Sequence, residues 1–106
     1  MNVKHANINS TPEILKRKLG GELLVPVTVT EFAGGVCKAG TPLDVNGAVA
    51  NDATVAGILL DDVYEENPNG SLVKAFAVVN LAKAEAHSGV TLAQAAKDAL
   101  ANVVFE

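Results

Sequence analysis

The chain has 106 residues with three Phe, one Tyr and no Trp, which predicts a single domain whose core is built from Val, Leu, Ile and Ala. Its formal net charge of −4 disfavours nucleic acid and anionic lipid as partners, and its one cysteine excludes an internal disulfide. It shows neither a secretory leader nor an apolar run of about 18 residues, which predicts a soluble protein made in the cytoplasm.

The small supply of aromatic residues also bears on assembly. A domain of this size buries only about 60–65% of the surface that its unfolded chain exposes. Contact with copies of itself, or with a larger partner, would add burial that the single chain lacks. The composition therefore favours a role in an assembly.

The N-terminal part divides into an arm and a short helix. Residues 1–9 place few apolar side chains, among them Val3 and Ile8, in a polar context, which predicts an extended arm. Residues 10–21 combine a Ser or Thr cap, a Pro-Glu first turn, a basic last turn and a closing glycine, which predicts a helix of about two turns. We expect a separate N-terminal unit over 1–21 and one β-rich domain over 22–106.

From Leu23 the apolar period changes to two and continues to Val29, which predicts a half-buried strand with these residues on the inner face. Pro26 cannot donate to a strand ladder, so this strand is expected at a sheet edge or at a bulge. Two glycines at 34–35 predict a turn, followed by a short strand over 36–38.

The middle of the chain predicts small β elements. Asn46 and Gly47 form the strongest short hairpin signal, yet a two-residue loop would place Asp44 opposite Val49, so the register stays open. "VAGILLDDVY" is apolar on both faces over its first six residues, which predicts a central strand covered on both sides. "LVKAFAVVN" predicts a second long strand antiparallel to the first.

The end of the chain is predicted to be helical before a last strand. Asn80 is a possible helix cap and Gly89 a helix stop, while Thr91 and Gln94 match a capping box that opens a second helical stretch. "NVVFE" predicts a terminal strand. The expected fold is mainly β within the α+β class: a small antiparallel barrel or sandwich with a short N-terminal and a short C-terminal helix.

No group of residues predicts catalysis. Cys37 would need a nearby base, and His5 and His87 are both distant in sequence, so we interpret Cys37 as a buried apolar filler. His87 lies near a helix end, where an imidazolium could satisfy carbonyl groups. Two histidines and one thiol give no zinc spacing, and the glycines match no phosphate or dinucleotide loop.

The acidic residues crowd one half of the chain; they include Asp44, Asp52, Asp61, Asp62, Glu65 and Glu66. A calcium site is one interpretation, but "DVNGAVAND" lacks the alternating ligands and terminal Glu of a calcium loop. Turn capping and solvation explain these carboxylates more simply. Adjacent Asp61 and Asp62 would point to opposite faces of a strand, which argues against a paired-carboxylate hydrolase.

The segments "GGVCKAGTPLDVNGAVANDATVAGILLDDV", "GSLVKAFAVVNLAKAEAHSG" and "AKDALANVVFE" resemble the tailed-phage head-fibre and head-decoration proteins. The resemblance covers residues 34–106 and is carried by turn and core residues at 38–43, 47–50 and 56–63. It implies a β-rich module, often a homotrimer, that binds the major capsid protein on the outside of the virion. It also implies no enzymatic activity and no cofactor.

Because the chain stops at Glu106 with no fibre segment, decoration or stabilisation of the head shell is expected here. No nucleic acid, membrane or small-molecule substrate is expected as a partner. We predict that the N-terminal unit docks on the shell, because its few apolar residues could fill grooves on a partner. The candidate capsid-binding residues are Val3, Lys4, His5, Ile8, Lys16, Arg17 and Lys18.

Two other functions stay open. "GVCKAGTPL" also suits turn-rich β domains that bind glycans or peptides in a shallow groove. A small enzyme is the other alternative, although the sequence offers no cluster of titratable groups for it.

Overall fold

The structure is a computed structural model that describes residues 14–17 and 20–106. Within these ranges the chain forms nine strands and two helices. The strands are β1 (Leu15–Arg17), β2 (Leu23–Thr28), β3 (Val36–Cys37), β4 (Pro42–Leu43), β5 (Gly57–Leu59), β6 (Val63–Tyr64), β7 (Asn69–Ala75), β8 (Ala77–Val79) and β9 (Val103–Phe105), and the helices are α1 (Leu81–Ser88) and α2 (Gln94–Ala99).

The strands form three sheets that give a sandwich-like α+β fold. The largest sheet is antiparallel, with strand order β2-β7-β5-β4. A second sheet has the order β1-β8-β9, in which β9 runs parallel to β8, and β3 pairs with β6 alone. The mainly β fold and the terminal strand are confirmed, and the described residues take the sandwich-like form instead of a closed barrel.

The inner strands β5 and β7 carry apolar side chains on both faces. Ile58 pairs with Val73, and both belong to the core that faces the helices and the β8 sheet. Leu59 pairs with Leu72, and both belong to a second core on the opposite face. All four side chains are at most 1% exposed. The predicted central strand covered on both sides is therefore confirmed.

Strand β2 lies at the edge of the largest sheet, as Pro26 predicts. Its register with β7 shifts between Leu23 and Leu24, so an irregularity is present as well. Val27 and Val29 are buried, but Leu23 is 43% exposed. The predicted inner face is thus confirmed at the end of the strand and wrong at its start, because the register shift turns Leu23 outward.

The Asn46-Gly47 turn is confirmed, with a loop of three residues instead of two. Asp44 N–H donates to the Ala48 carbonyl at 2.9 Å, and Gly47 N–H donates to the Asp44 carbonyl at 3.1 Å. Gly47 has φ of 83°, as expected of the left-handed residue that closes a three-residue hairpin. Asp44 therefore lies opposite Ala48, which resolves the register.

The predicted second long strand is antiparallel to β5 but does not continue through its whole length. It breaks at Phe76, which has φ of 58°, into β7 and β8, and these belong to different sheets. Phe76 N–H donates to the Asn102 carbonyl at 2.7 Å. Because Ala75 and Ala77 on either side are both buried, the chain turns sharply here to reach a second packing surface.

The N-terminal helix predicted over 10–21 is wrong at Leu15–Arg17, which form β1. Leu15 pairs with Val79, and the Ile14 carbonyl accepts from Asn80 N–H at 2.6 Å. Ile14 is 1% exposed, so the core and the β8 edge stabilise a strand where a two-turn helix would be only marginally stable. The predicted arm at 1–9 lies outside the described residues.

Helix α1 has the predicted limits. Asn80 Oδ1 accepts from Lys83 N–H at 3.1 Å, which caps the first turn. Gly89 ends the helix with φ of 76°, and its N–H donates to the Glu85 carbonyl at 2.9 Å.

The predicted capping box of Thr91 and Gln94 is wrong, because α2 begins only at Gln94 and has no side-chain cap. Asn51 Nδ2 donates to the Thr91 carbonyl at 2.8 Å, and Glu85 Oε2 accepts from Leu92 N–H at 2.9 Å. These contacts from distant segments hold the residues before the helix in an extended form.

We expect Gly47→Ala to lower the free energy of unfolding by about 3 kcal/mol or more, measured by urea denaturation. A Cβ at Gly47 would overlap the carbonyl oxygen of Thr28 and would also force an alanine into left-handed backbone. Gly34→Ala is the matched control, because Gly34 has φ of 64° but open space where its Cβ would stand, so only about 1–2 kcal/mol should be lost. Equal losses in the two variants would contradict the packing of the hairpin on β2.

Candidate functional site

A cleft of about 410 Å³ lies beside the segment "GVCKAGTPL". This segment contributes Val36, Cys37, Lys38 and Thr41 to its lining. Phe32, which is half-buried, lines it from the preceding loop. The cleft therefore combines an aromatic ring with polar side chains. It lies beside the segment for which the sequence also allows glycan or peptide binding.

Hydrogen bonds from side chains hold the loops around this cleft. Glu31 Oε1 accepts from Val49 N–H at 2.7 Å, which ties the Asn46-Gly47 hairpin to the loop after β2. Thr41 Oγ1 donates to the Lys38 carbonyl at 2.7 Å. Two of the polar lining groups thus stabilise the walls of the cleft.

Cys37 is 5% exposed and packs in the second core, which confirms its prediction as a buried filler. Burial raises the pKa of the Cys37 thiol, a hydrogen bond with Thr41 offsets part of this rise, and the carboxylates of Glu31 and Asp62 raise the pKa further. The thiol is therefore protonated at neutral pH. Because the thiolate is the nucleophile, Cys37 is poorly suited to attack a substrate.

Asp62 and His87 form a contact that connects three parts of the chain. Asp62 Oδ1 accepts from Ala39 N–H at 2.8 Å and lies 2.8 Å from His87 Nε2. The prediction that His87 satisfies helix carbonyls is thus corrected: its ring Nε2 contacts a carboxylate. The pair joins the last turn of α1 to the loop before β6 and to the segment after β3.

Two other carboxylates cap turns, as predicted. Asp44 Oδ1 accepts from Asn46 N–H at 2.8 Å. Asp52 Oδ1 accepts from Thr54 N–H at 2.9 Å and from its hydroxyl at 2.6 Å, and these bonds lower the pKa of Asp52. In the part of the chain that the structure describes, no three His, Cys, Asp or Glu side chains form a group that could hold a metal ion.

The predicted capsid-binding residues lie partly within the described ranges. Lys16 is exposed on β1, and the backbone of Arg17 pairs with Val78 of β8. Outside the described residues lie Val3, Lys4, His5, Ile8 and Lys18.

A second groove, of about 450 Å³, was not predicted from the sequence. We call it the Phe76 groove; its lining includes Leu23, Val45, Val55, Lys74, Phe76 and Leu100. These residues come from separate segments, and Phe76 itself lies within an apolar run that is typical of a strand. No local signal in the sequence indicates that its side chain is exposed.

No protein-family model, curated protein or solved structure matches this chain. Neither of the two helices in the described ranges is long and apolar enough to cross a membrane. The function of the chain is therefore inferred from its own residues.

We expect native Cys37 to react with iodoacetamide at least about tenfold more slowly than the same thiol in urea, because burial limits access and keeps the thiol protonated. Mass spectrometry of timed reactions at pH 7.5 would measure both rates. Similar rates in the native and unfolded chains would contradict the buried, protonated state.

We expect Asp62→Ala to lower the free energy of unfolding by about 2–3 kcal/mol, because it leaves the N–H of Ala39 without its acceptor. Ala39 is 0% exposed, so water cannot easily replace the carboxylate. His87→Ala should cost less than about 1 kcal/mol, since its contact with Asp62 is partly exposed. Asp61→Ala, at an exposed neighbouring position, is the control. Urea denaturation at pH 7 would measure all three, and an Asp62→Ala loss no larger than the control loss would contradict this account.

Proposed function

We propose that this protein is a structural virion protein that binds the outer surface of a tailed-phage capsid and decorates or stabilises the head shell. In this proposal it acts as a homotrimer on the major capsid protein and performs no catalysis. The observation that carries the proposal is that the residues resembling head-decoration proteins form the buried frame of the domain. They include Leu43, Ile58 and Leu59, each 0% exposed, and Gly47 in the hairpin.

The attachment of the N-terminal segment supports this proposal. Ile14 is buried in the core, and β1 pairs with β8, the middle strand of its sheet. A docking segment that precedes Ile14 would therefore transmit load directly into a hydrogen-bonded sheet.

The charges on β1 fit a docking role in this proposal. Lys16 is an exposed cation on an edge strand of a chain whose formal net charge is −4. A cation at this place can pair with carboxylates on a partner without the rest of the domain being basic. With Arg17 and the candidate residues outside the described ranges, it forms the proposed capsid contact.

The test is to remove residues 1–13, which leaves Ile14 and β1 in place. We expect occupancy on purified heads that lack the protein to fall at least about tenfold, because the four candidate contacts within residues 1–13 are lost while β1 and the core are kept. Circular dichroism melting checks that the truncated domain is folded, and quantitative gel analysis of sedimented heads measures occupancy. If the full-length protein does not bind the heads, the proposed function is wrong. If the truncated chain binds as well as the full-length protein, the proposed docking role of the N-terminal segment is wrong.

Charge reversal gives a second test with a matched control. Lys16→Glu should lower head occupancy several-fold, because it removes a cation from the proposed contact. The loss of occupancy should be larger at low salt, where charges are screened less. Lys38→Glu reverses an exposed lysine in the cleft and should leave occupancy unchanged. Equal losses in the two variants would show a general effect of net charge and contradict a contact on β1. Sedimentation of the free protein would test the homotrimer.

Glycan or peptide binding is the second candidate, and the cleft beside "GVCKAGTPL" favours it. Half-buried Phe32 contributes an aromatic ring to the lining, and Lys38 contributes an exposed cation. A glycan array followed by melting in the presence of any hit would test this function. A rise in melting temperature that Phe32→Ser abolishes would support it, and an array without a hit would argue against glycans.

A further inference from the structure

Phe76 combines an unfavourable backbone conformation with an exposed aromatic ring. Its φ of 58° lies in the left-handed region, which an aromatic residue rarely adopts and which glycine or asparagine accepts easily. The ring is 59% exposed, whereas Ala75 and Ala77 on either side are buried. The fold needs the sharp turn at this position, but it does not need a phenylalanine there.

The backbone around Phe76 is held in place, so its conformation is a fixed feature of the surface. Its N–H donates to the Asn102 carbonyl at 2.7 Å. The chain changes from one sheet to another at this residue. A strained residue that the surrounding structure holds in place is typical of binding sites. An aromatic residue here is best explained by what its side chain contacts outside the chain.

The ring borders the Phe76 groove together with other exposed apolar side chains. Leu23 is 43% exposed and Val45 is 77% exposed, and both line the groove. Val55 and Leu100, which also line it, are buried apolar residues. A groove that presents a fixed aromatic ring beside exposed apolar side chains is suited to receive an apolar side chain from a partner.

Among the described residues that line this groove, Lys74 is the single charged one. It forms no ion pair with any residue that the structure describes. The formal net charge of the chain is −4, so a cation among otherwise uncharged described lining residues differs in sign from the chain as a whole. Its natural counterpart is a carboxylate on the molecule that fills the groove.

We infer that the Phe76 groove binds a segment of the shell protein in which an apolar side chain lies next to a carboxylate. The apolar side chain packs against Phe76, Leu23 and Val45, and the carboxylate pairs with Lys74. This inference rests on the proposed function for the identity of the partner, whereas the chemistry of the groove comes from the chain itself.

The first experiment uses short peptides as defined probes. Acetyl-Glu-Leu-Leu-Glu-amide is titrated into ¹⁵N-labelled full-length protein and compared with Lys-Leu-Leu-Lys and Glu-Ser-Ser-Glu versions. We expect amide shifts confined to the groove, binding at least threefold tighter for the acidic apolar peptide than for the basic one, and none for the serine peptide. Lys74→Gln should remove the preference for the acidic peptide. No groove shift at millimolar peptide would overturn the inference.

The second experiment uses Phe76→Asn, which keeps the left-handed backbone and removes the ring. We expect its melting temperature to stay within a few degrees of the parent, while peptide binding and head occupancy both fall at least fivefold. Tyr64→Ser is the matched control, because Tyr64 is an aromatic residue 54% exposed and outside the groove lining. Its binding should equal that of the parent.

The outcomes separate this inference from the proposed function. If the parent protein binds heads and Phe76→Asn binds them equally well, the groove inference is wrong and the proposed function stands. If the parent does not bind heads but binds the acidic apolar peptide in the groove, the proposed function is wrong, whereas the inferred preference of the groove for an apolar side chain next to a carboxylate is supported. If Phe76→Asn changes the oligomer that the parent forms in sedimentation, a second copy fills the groove and the shell segment does not.

Discussion

The turn at Phe76 divides one apolar stretch of the chain between two sheets, and the core that faces the helices takes residues from both parts, among them Val73 and Val79. Before it, Leu72 and Val73 alternate between the two faces of the largest sheet. After it, the residues of β8 pair with β1 on one side and β9 on the other. A straight strand would extend one sheet, and β1 and β9 would lose the strand with which they pair.

Polar side chains in this domain mainly satisfy backbone groups. Asp44, Asp62, Asn51 and Glu85 each accept a backbone N–H from a turn or loop. A domain built from short strands has many such groups outside its ladders, and each costs free energy if buried without a partner. This demand explains Asp44, Asp52 and Asp62 among the carboxylates whose crowding suggests a metal site or a hydrolase.

The sequence predicts elements well where the deciding contacts are local. Asn80 and Gly89 limit α1 through contacts within four residues, so they could be identified without a structure. The prediction fails where contacts with a distant segment determine the local structure. Pairing with β8 makes Leu15 part of a strand, and Asn51 contacts a residue before α2 that lies 40 positions away. The buried state of Cys37 followed from its residue type, but the Phe76 groove could not be predicted because several separate segments form it.

The two proposed contact surfaces meet at the same turn. Arg17 of β1 pairs with Val78, just after Phe76, and Leu23 of β2 pairs with Ala75, just before it. The last described residue of β1 and the first residue of β2 therefore lie on either side of the Phe76 turn, in different sheets. A partner that occupies the groove would also restrain the strand that follows the N-terminal segment, because both are attached to the same rigid backbone. Binding at one surface would then raise the effective concentration of the partner at the other, which favours joint engagement of a single shell protein.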